Sequence, residues 1–175
     1  GTENDSLAIT NSMQRFQNKV CFVTGAGSGI GKATALSFGR EGGKVVVTDI
    51  NEAAAQAVAV ELIASGAEAI ALKVDISKRT DVENAVKAAV ETFGRLDCAV
   101  NSAGIAGTVS LPTHEYPEDD WLQMITINLT GTWYCVKAQI TQMLAQGGGT
   151  IVNIASAAGL VGQPTNVPYA ASKHG

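Results

Sequence analysis

Tyr169 and Lys173 stand four residues apart in the segment Tyr169-Ala170-Ala171-Ser172-Lys173. In a helix, that spacing stacks an ammonium beside a phenol on one face. A free tyrosine has a pKa of about 10 and transfers protons poorly at neutral pH, but a neighbouring positive charge lowers that value toward the range acid/base catalysis needs. Upstream, Ser156 follows an apolar run and offers a hydroxyl that can donate to a carbonyl oxygen as negative charge grows there. Singly these residues are commonplace, because Tyr and Lys at this spacing usually form a surface contact and Ser is frequent at strand ends. Their meaning depends on what the rest of the chain builds around them.

Apolar strand-like runs alternate with amphipathic stretches of helix length. Strands are predicted at Val20 to Thr24, Lys44 to Asp49, Ala69 to Val74, Asp97 to Asn101 and Thr150 to Ala155. Helices are predicted at Ile30 to Arg40, Glu52 to Ser65, Thr80 to Phe93 and Glu118 to Ala145. This alternation is the pattern of a parallel sheet covered on both faces, so the expected fold class is α/β, a Rossmann-like doubly wound sheet. Gly42-Gly43 and Gly147-Gly148-Gly149 punctuate the joints. The longest irregular stretch, Gly104 to Pro117, follows the fourth strand, at the end of the sheet where such folds bind ligands.

Thr24-Gly25-Ala26-Gly27-Ser28-Gly29-Ile30-Gly31 joins the first strand to the first helix. Glycines there let the backbone turn tightly and approach a pyrophosphate, whose charge suits the free amides of a helix N-terminus. Asp49 ends the second strand, 18 positions after Gly31, where a carboxylate accepts hydrogen bonds from an adenosine ribose. No Lys or Arg lies in the glycine turn or at Ile50 and Asn51, and the charge of Asp49 repels a 2'-phosphate, so NAD rather than NADP is the expected cofactor. The competing reading makes Asp49 a strand-end polar residue or the N-cap of the next helix. Asp75, at the end of the third strand, either accepts from the adenine amino group or caps the helix that follows. Asn101-Ser102-Ala103-Gly104 either lets the backbone lie against the cofactor or is a simple strand-to-loop turn.

Composition narrows the partners. The 175 residues are 46% hydrophobic and 16% charged, and a chain of this size buries about 70% of its unfolded surface. Twelve basic against 16 acidic residues give a net charge of -4, with no basic block to follow a phosphate backbone, so nucleic acid is an unexpected partner. No apolar run approaches the roughly 18 residues of a membrane span. Cys21, Cys98 and Cys135 are scattered and odd in number, which points to packing thiols in a cytoplasmic protein rather than disulfides or a metal site. Residues 1–12 are polar and lack the features of a signal peptide. They are expected to be a disordered or expression-derived leader, with Met13 as the natural start and a single NAD-binding domain over residues 13–175.

In this order, the glycine turn, the acidic strand end, Asn-Ser-Ala-Gly, Ser156 and Tyr-x-x-x-Lys resemble the short-chain dehydrogenase/reductase family, in the branch with a Thr-Gly-x-x-x-Gly-Ile-Gly turn. The resemblance runs from about Lys19 to the last residue. It implies reversible hydride transfer between a secondary alcohol and NAD, with Tyr169 as proton donor and acceptor. Lys173 would favour the ionised phenol and hold the nicotinamide ribose, and Ser156 would polarise the substrate carbonyl. Asn128, in the long helix, matches the residue that supports a water on the proton relay. The cofactor would meet Gly25, Gly27, Ser28, Gly29, Ile30 and Gly31, then Asp49 with Ile50, Asp75 with Ile76, Asn101, Ala103 and Gly104, and Tyr169 with Lys173. Ser102 stands where the family usually has Asn. Family members continue past the equivalent of Gly175 with further strands and a substrate-covering segment. The C-terminal part is therefore expected to be missing, and the resemblance implies a homodimer or homotetramer at full length, acting on a small alcohol or ketone. The alternative is an NAD-binding fragment that lacks catalysis.

Other chemistry-bearing residues fit this scheme less well. His114 and His174 read as loop and packing residues rather than ligands. Trp121, Trp133 and Tyr134 read as core or interface, and Glu118-Asp119-Asp120 as a solvated helix start.

Overall fold

The computed structural model describes residues 14–107 and 109–175, so the expected leader and Met13 lie outside the described residues. Five parallel strands form one sheet: β1 (Val20–Thr24), β2 (Lys44–Asp49), β3 (Ala69–Lys73), β4 (Cys98–Asn101) and β5 (Thr150–Asn153), in the order β3-β2-β1-β4-β5. The chain winds outward from β1 to β3, then crosses to the other side of β1 with β4. That reversal opens a crevice at the carboxyl ends of β1 and β4, the switch point where doubly wound sheets bind ligands. Thr24 pairs with both Thr48 and Asn101, and Asn101 with Asn153, so these strands deliver their carboxyl ends side by side.

Alternation along the strands builds two cores. Val20, Phe22 and Val46 face α3 (Arg79–Phe93) and α5 (Thr132–Ala145), meeting Val82, Val86, Cys135 and Met143. Val23, Val45 and Val47 face α1 (Gly29–Arg40) and α2 (Glu52–Ala64), meeting Ala35, Ala55, Val58 and Leu62. The three valines of β2 are fully buried, each contributing about 1.5–3 kcal/mol by leaving water.

Three strand ends differ from the sequence reading. β3 stops at Lys73 rather than Val74, β4 begins at Cys98 rather than Asp97, and β5 stops at Asn153 rather than Ala155. The hydrogen-bond ladder nevertheless runs one residue past each bound: Val74 N donates to Asp49 O (2.9 Å), Asp97 N to Val20 O (2.9 Å) and Ile154 N to Asn101 O (3.0 Å). β5 also departs from the doubly covered strand the apolar run predicts. It lies at the sheet edge, and Val152 is 52% exposed.

The long helix expected over Glu118 to Ala145 is interrupted. α4 (Glu118–Met124) passes into a π-helical segment, Ile125–Gly131, before α5 begins. Such segments insert a residue into the helical ladder and re-aim side chains, often at functional sites. Here Asn128 lies at the segment's centre, and the Thr132 hydroxyl donates to its carbonyl oxygen at 2.7 Å. A short 3₁₀ turn, Thr113–Glu115, breaks the irregular stretch after β4, and α6 (Val167–His174) carries Tyr169 and Lys173.

Cys21 and Cys135 are buried and Cys98 half-buried, all three as free thiols. Trp121 and Trp133 stand on the surface at 38% and 54% exposure rather than in the core, whereas Tyr134 packs against the α3 side of the sheet. Among the described residues no helix is long and apolar enough to cross a membrane. No group of three or more His, Cys, Asp or Glu among them could hold a metal ion.

Candidate active site

A cavity of about 630 Å³ runs along the carboxyl ends of the strands, within the size range of small-molecule and cofactor sites. Its wall takes Gly25, Ser28, Gly29 and Ile30 from the first turn, Asp49 and Ile50 after β2, and Asp75 and Ile76 after β3. Ala103 and Gly104 follow from the β4 loop, and Ser156, Tyr169 and Lys173 complete the far end. Residues spread over the whole sequence thus meet in one crevice.

At one end, each oxygen of Asp49 already holds a backbone amide. Oδ2 accepts from Gly27 N and Oδ1 from Asn51 N, both at 2.9 Å. The cap of α2 is Asn51, whose side chain accepts from Ala54 N at 3.1 Å. Asp49 is therefore not that helix's N-cap; it ties the glycine turn to β2. Asp75 does not cap α3 either, since Lys78 holds that position. Its Oδ1 accepts from the Ser77 hydroxyl (2.6 Å) and amide (3.0 Å). The Ser77 hydroxyl, reinforced by its amide and by Lys78, outweighs burial and holds the Asp75 carboxyl below the usual range.

The glycine turn is shaped by close approach. A Cβ on Gly25, whose φ is +62°, would lie 2.8 Å from Ala103 Cα, and one on Gly31 would run into the Gly25 carbonyl oxygen. No acidic residue occupies the first turn of α1, so its free amides and partial positive charge face the cavity. Gly27 and Gly31 are not in the cavity wall; they hold the turn that is.

At the other end, Lys173 Nζ donates to Ile154 O at 3.0 Å and lies 5.8 Å from the centroid of the Tyr169 ring. The expected stacking of ammonium and phenol on one helix face is present. Ser156 lies beyond β5, at the start of the 3₁₀ turn Ala157–Gly159, and its Oγ accepts from Ala158 N at 3.2 Å. Its hydroxyl hydrogen is still available to donate.

Two expected site residues have side chains engaged by other parts of the protein. Asn101 is in β4, and its side chain exchanges bonds of 2.9 and 2.8 Å with Gln139 of α5 and donates to Asn153 Oδ1 at 2.9 Å. Strand alternation puts it on the α5 side, so it ties β4, β5 and α5 together instead of meeting the cavity. Asn128 is buried, with Oδ1 accepting from Ile105 N and Nδ2 donating to Ile105 O, both at 2.8 Å. Nδ2 also reaches Ser172 Oγ at 3.2 Å, and that hydroxyl donates to Tyr169 O at 2.9 Å. Asn128 therefore connects the π-helical segment to the backbone of Tyr169.

Residues the sequence reading passed over fill these gaps. Thr24 Oγ1 accepts from Ser102 N and Ala103 N at 3.1 Å each, fixing the β4 loop against β1. Gln139 carried a visible signal: it shares the buried stripe of α5 with Cys135 and Met143 at spacings of four, where a polar residue needs a buried partner. His114 is exposed and lies 3.4 Å from Glu115, away from the cavity, and His174 contacts Ala170 O at 2.8 Å through a ring nitrogen.

This chain belongs to the short chain dehydrogenase family, whose model matches residues 19–175. Among its relatives, cyclohexanol dehydrogenase of Acinetobacter sp. (strain SE19) is 47% identical over 161 residues, covering 92% of this chain and 64% of that protein. The fold is shared with the NAD+-bound crystal structure of xylitol dehydrogenase: TM-score 0.88, 39% identity, 91% of this chain and 61% of that one. Carveol dehydrogenase from Mycobacterium avium, in complex with NAD, gives a TM-score of 0.87 at 30% identity and covers 92% of this chain and 62% of its own. The chain thus spans less than two thirds of the length of these proteins.

Proposed function

We propose that this chain carries the NAD-binding and catalytic residues of an enzyme that interconverts a secondary alcohol and a ketone. The observation that carries the reading is that Ser156, Tyr169 and Lys173 line the same cavity as the glycine turn and Asp49. The NAD-bound xylitol and carveol dehydrogenase structures of the same fold support it.

The residues present fit a dinucleotide. The close-packed turn of Gly25 and Gly31 leaves the first amides of α1 facing the cavity for a pyrophosphate. Asp49 retains lone pairs for the adenosine ribose and carries the charge that rejects a 2'-phosphate, and Asp75 offers an acceptor for the adenine amino group. When bound, NAD supplies the hydride acceptor and donor. Ser156 donates its hydroxyl hydrogen to the substrate oxygen. The Tyr169 phenolate oxygen takes the alcohol proton during oxidation and returns it during reduction. Lys173, beside the ring, supports the phenolate, and Asn128 with Ser172 fixes the Tyr169 backbone and supports the relay that carries the proton away.

We place the protein in the cytoplasm on its unpaired cysteines. Self-association into a dimer or tetramer is supported by the exposed apolar residues of α4 and α5, Leu122, Trp133, Ile140 and Leu144. A second reading is NAD binding without turnover. Titrating the protein with NADH, then following nicotinamide absorbance with a panel of secondary alcohols, separates the two. Binding with turnover supports the enzyme, binding alone supports the second reading, and failure to bind NADH refutes both.

A further inference from the structure

Asn166 occupies the N-cap position of α6, the helix of Tyr169 and Lys173, yet its side chain makes no bond to that helix. Asparagine is favoured at N-caps because its side-chain oxygen accepts a free amide of the first turn. Here both polar atoms turn outward instead. Nδ2 donates to Ala106 O at 2.9 Å, and Oδ1 accepts from the Tyr116 hydroxyl at 3.2 Å. Beside them, Leu111 N donates to Thr165 O at 3.0 Å. The loops leaving β4 and β5 are therefore joined beside Ala106 of the cavity wall, one step before the catalytic helix begins.

Two further observations show that this junction is closely fitted. Gly107 passes beneath it with φ +79°, and a Cβ there would lie 2.7 Å from Met124 Cε, 3.5 Å from the Tyr116 hydroxyl and 3.9 Å from Asn166 Oδ1. Its positive φ is a conformation that residues with side chains rarely adopt. Burial, with Asp120 nearby, pushes the Tyr116 phenol up, and its hydroxyl is the donor to Asn166. Next to the junction, Val109, Tyr116, Asp120, Gln123 and Met124 line a recess of about 360 Å³ that shares Ile105 and Ala106 with the main cavity.

We propose that Asn166, held by Tyr116 and the Ala106 carbonyl, is a positioning and specificity-determining residue. It fixes the start of α6, and with it the Tyr169 hydroxyl, and its junction with Tyr116 forms the wall of the substrate mouth beside that recess. The recess takes the part of the alcohol remote from the reacting carbon. This rests on the dehydrogenase reading above. An N-cap that gives up its own helix to hold two loops trades local helix stability for the geometry of the mouth.

The test compares Tyr116→Phe, which removes one hydroxyl, with Asn166→Ser, which can cap α6 but cannot span the mouth. kcat and KM are measured for a small and a bulky secondary alcohol, together with NADH affinity and amide hydrogen exchange at Leu111. In both variants kcat/KM for the small alcohol is expected to fall about tenfold, the loss of one well-placed hydrogen bond. The bulky-to-small ratio should rise at least about threefold, with NADH affinity unchanged and Leu111 exchanging faster while Phe22 and Val46 stay protected. An unchanged size ratio in folded variants overturns the proposal. If the parent protein turns over no alcohol, the dehydrogenase reading fails on its own account, and the exchange data judge the junction: unchanged Leu111 protection in both variants refutes it. Should Asn166→Ser fail to fold, Tyr116→Phe decides alone.

Discussion

Replacing Asp49 with Asn tests the cofactor assignment with the smallest change of shape. The carboxylate already gives one oxygen to Gly27 N and the other to Asn51 N, so only its remaining lone pairs and its charge are available to a ribose. Hydrogen bonds to a charged acceptor are worth about 1.5–3 kcal/mol against about 0.5–1.5 for a neutral one, and the exchange costs NADH roughly 1–1.5 kcal/mol. For NADPH the sign reverses, because a carboxylate near the 2'-phosphate repels it. Two unit charges about 5 Å apart at an effective dielectric near 20 interact by roughly 3 kcal/mol. Asp49 is only half-buried, and solvent reduces this to about 1–2 kcal/mol. Together the NADH-to-NADPH preference should fall by about 2–3.5 kcal/mol, a factor of roughly 30 to 300. The assay is a pair of fluorescence titrations on the parent and Asp49→Asn proteins. A preference that moves by less than about threefold in a folded variant would refute the reasoning.

Two further predictions concern the framework. Asp97 is buried; although burial opposes its charge, the Arg95 guanidinium (2.7–2.9 Å) and the Val20 amide (2.9 Å) hold its carboxyl below the usual range. A lowered folded-state pKa contributes stability above the unfolded value of about 3.9, and that stability is lost as pH falls through the folded-state value. Asp97→Asn should therefore cost about 1–3 kcal/mol at neutral pH and flatten the acid limb of stability, read from urea midpoints between pH 7 and 3. Gly31→Ala drives a methyl into the Gly25 carbonyl oxygen. It should cost about 1–3 kcal/mol, lowering the melting temperature by about 2–12 °C, and weaken NADH binding at the same time; an unchanged affinity in calorimetry would show that the turn does not touch the cofactor.

Much of this was legible in the sequence because the signals are local. Periodicity located β1 and β2 to the residue, since both are unbroken apolar runs ended by polar or glycine residues. The ends of β3 and β4 slipped because ladder bonds at Val74 and Asp97 outlast the regular strand, a difference no side chain announces; at β5 the bond at Ile154 accounts for one of the two residues by which the prediction overran. The π-helical segment was not legible: one inserted residue leaves the apolar pattern of Glu118 to Ala145 nearly intact while re-aiming Asn128. The pairing of Asn101 depends on Gln139, 38 residues away, and the outward turn of Asn166 on Tyr116, 50 residues away. Spacing identifies which residues can do chemistry, but long-range partners decide which way they point.

The most direct test of the central claim follows a labelled hydride. The protein is incubated with NAD and a secondary alcohol deuterated at the carbinol carbon, and the reduced cofactor is examined by mass spectrometry, for the parent chain and for Tyr169→Phe. The expected result is NADH carrying one deuterium from the parent, and none from the variant although it still binds NADH. Deuterated NADH formed equally well by Tyr169→Phe, or none formed by the parent with any alcohol, would contradict the account.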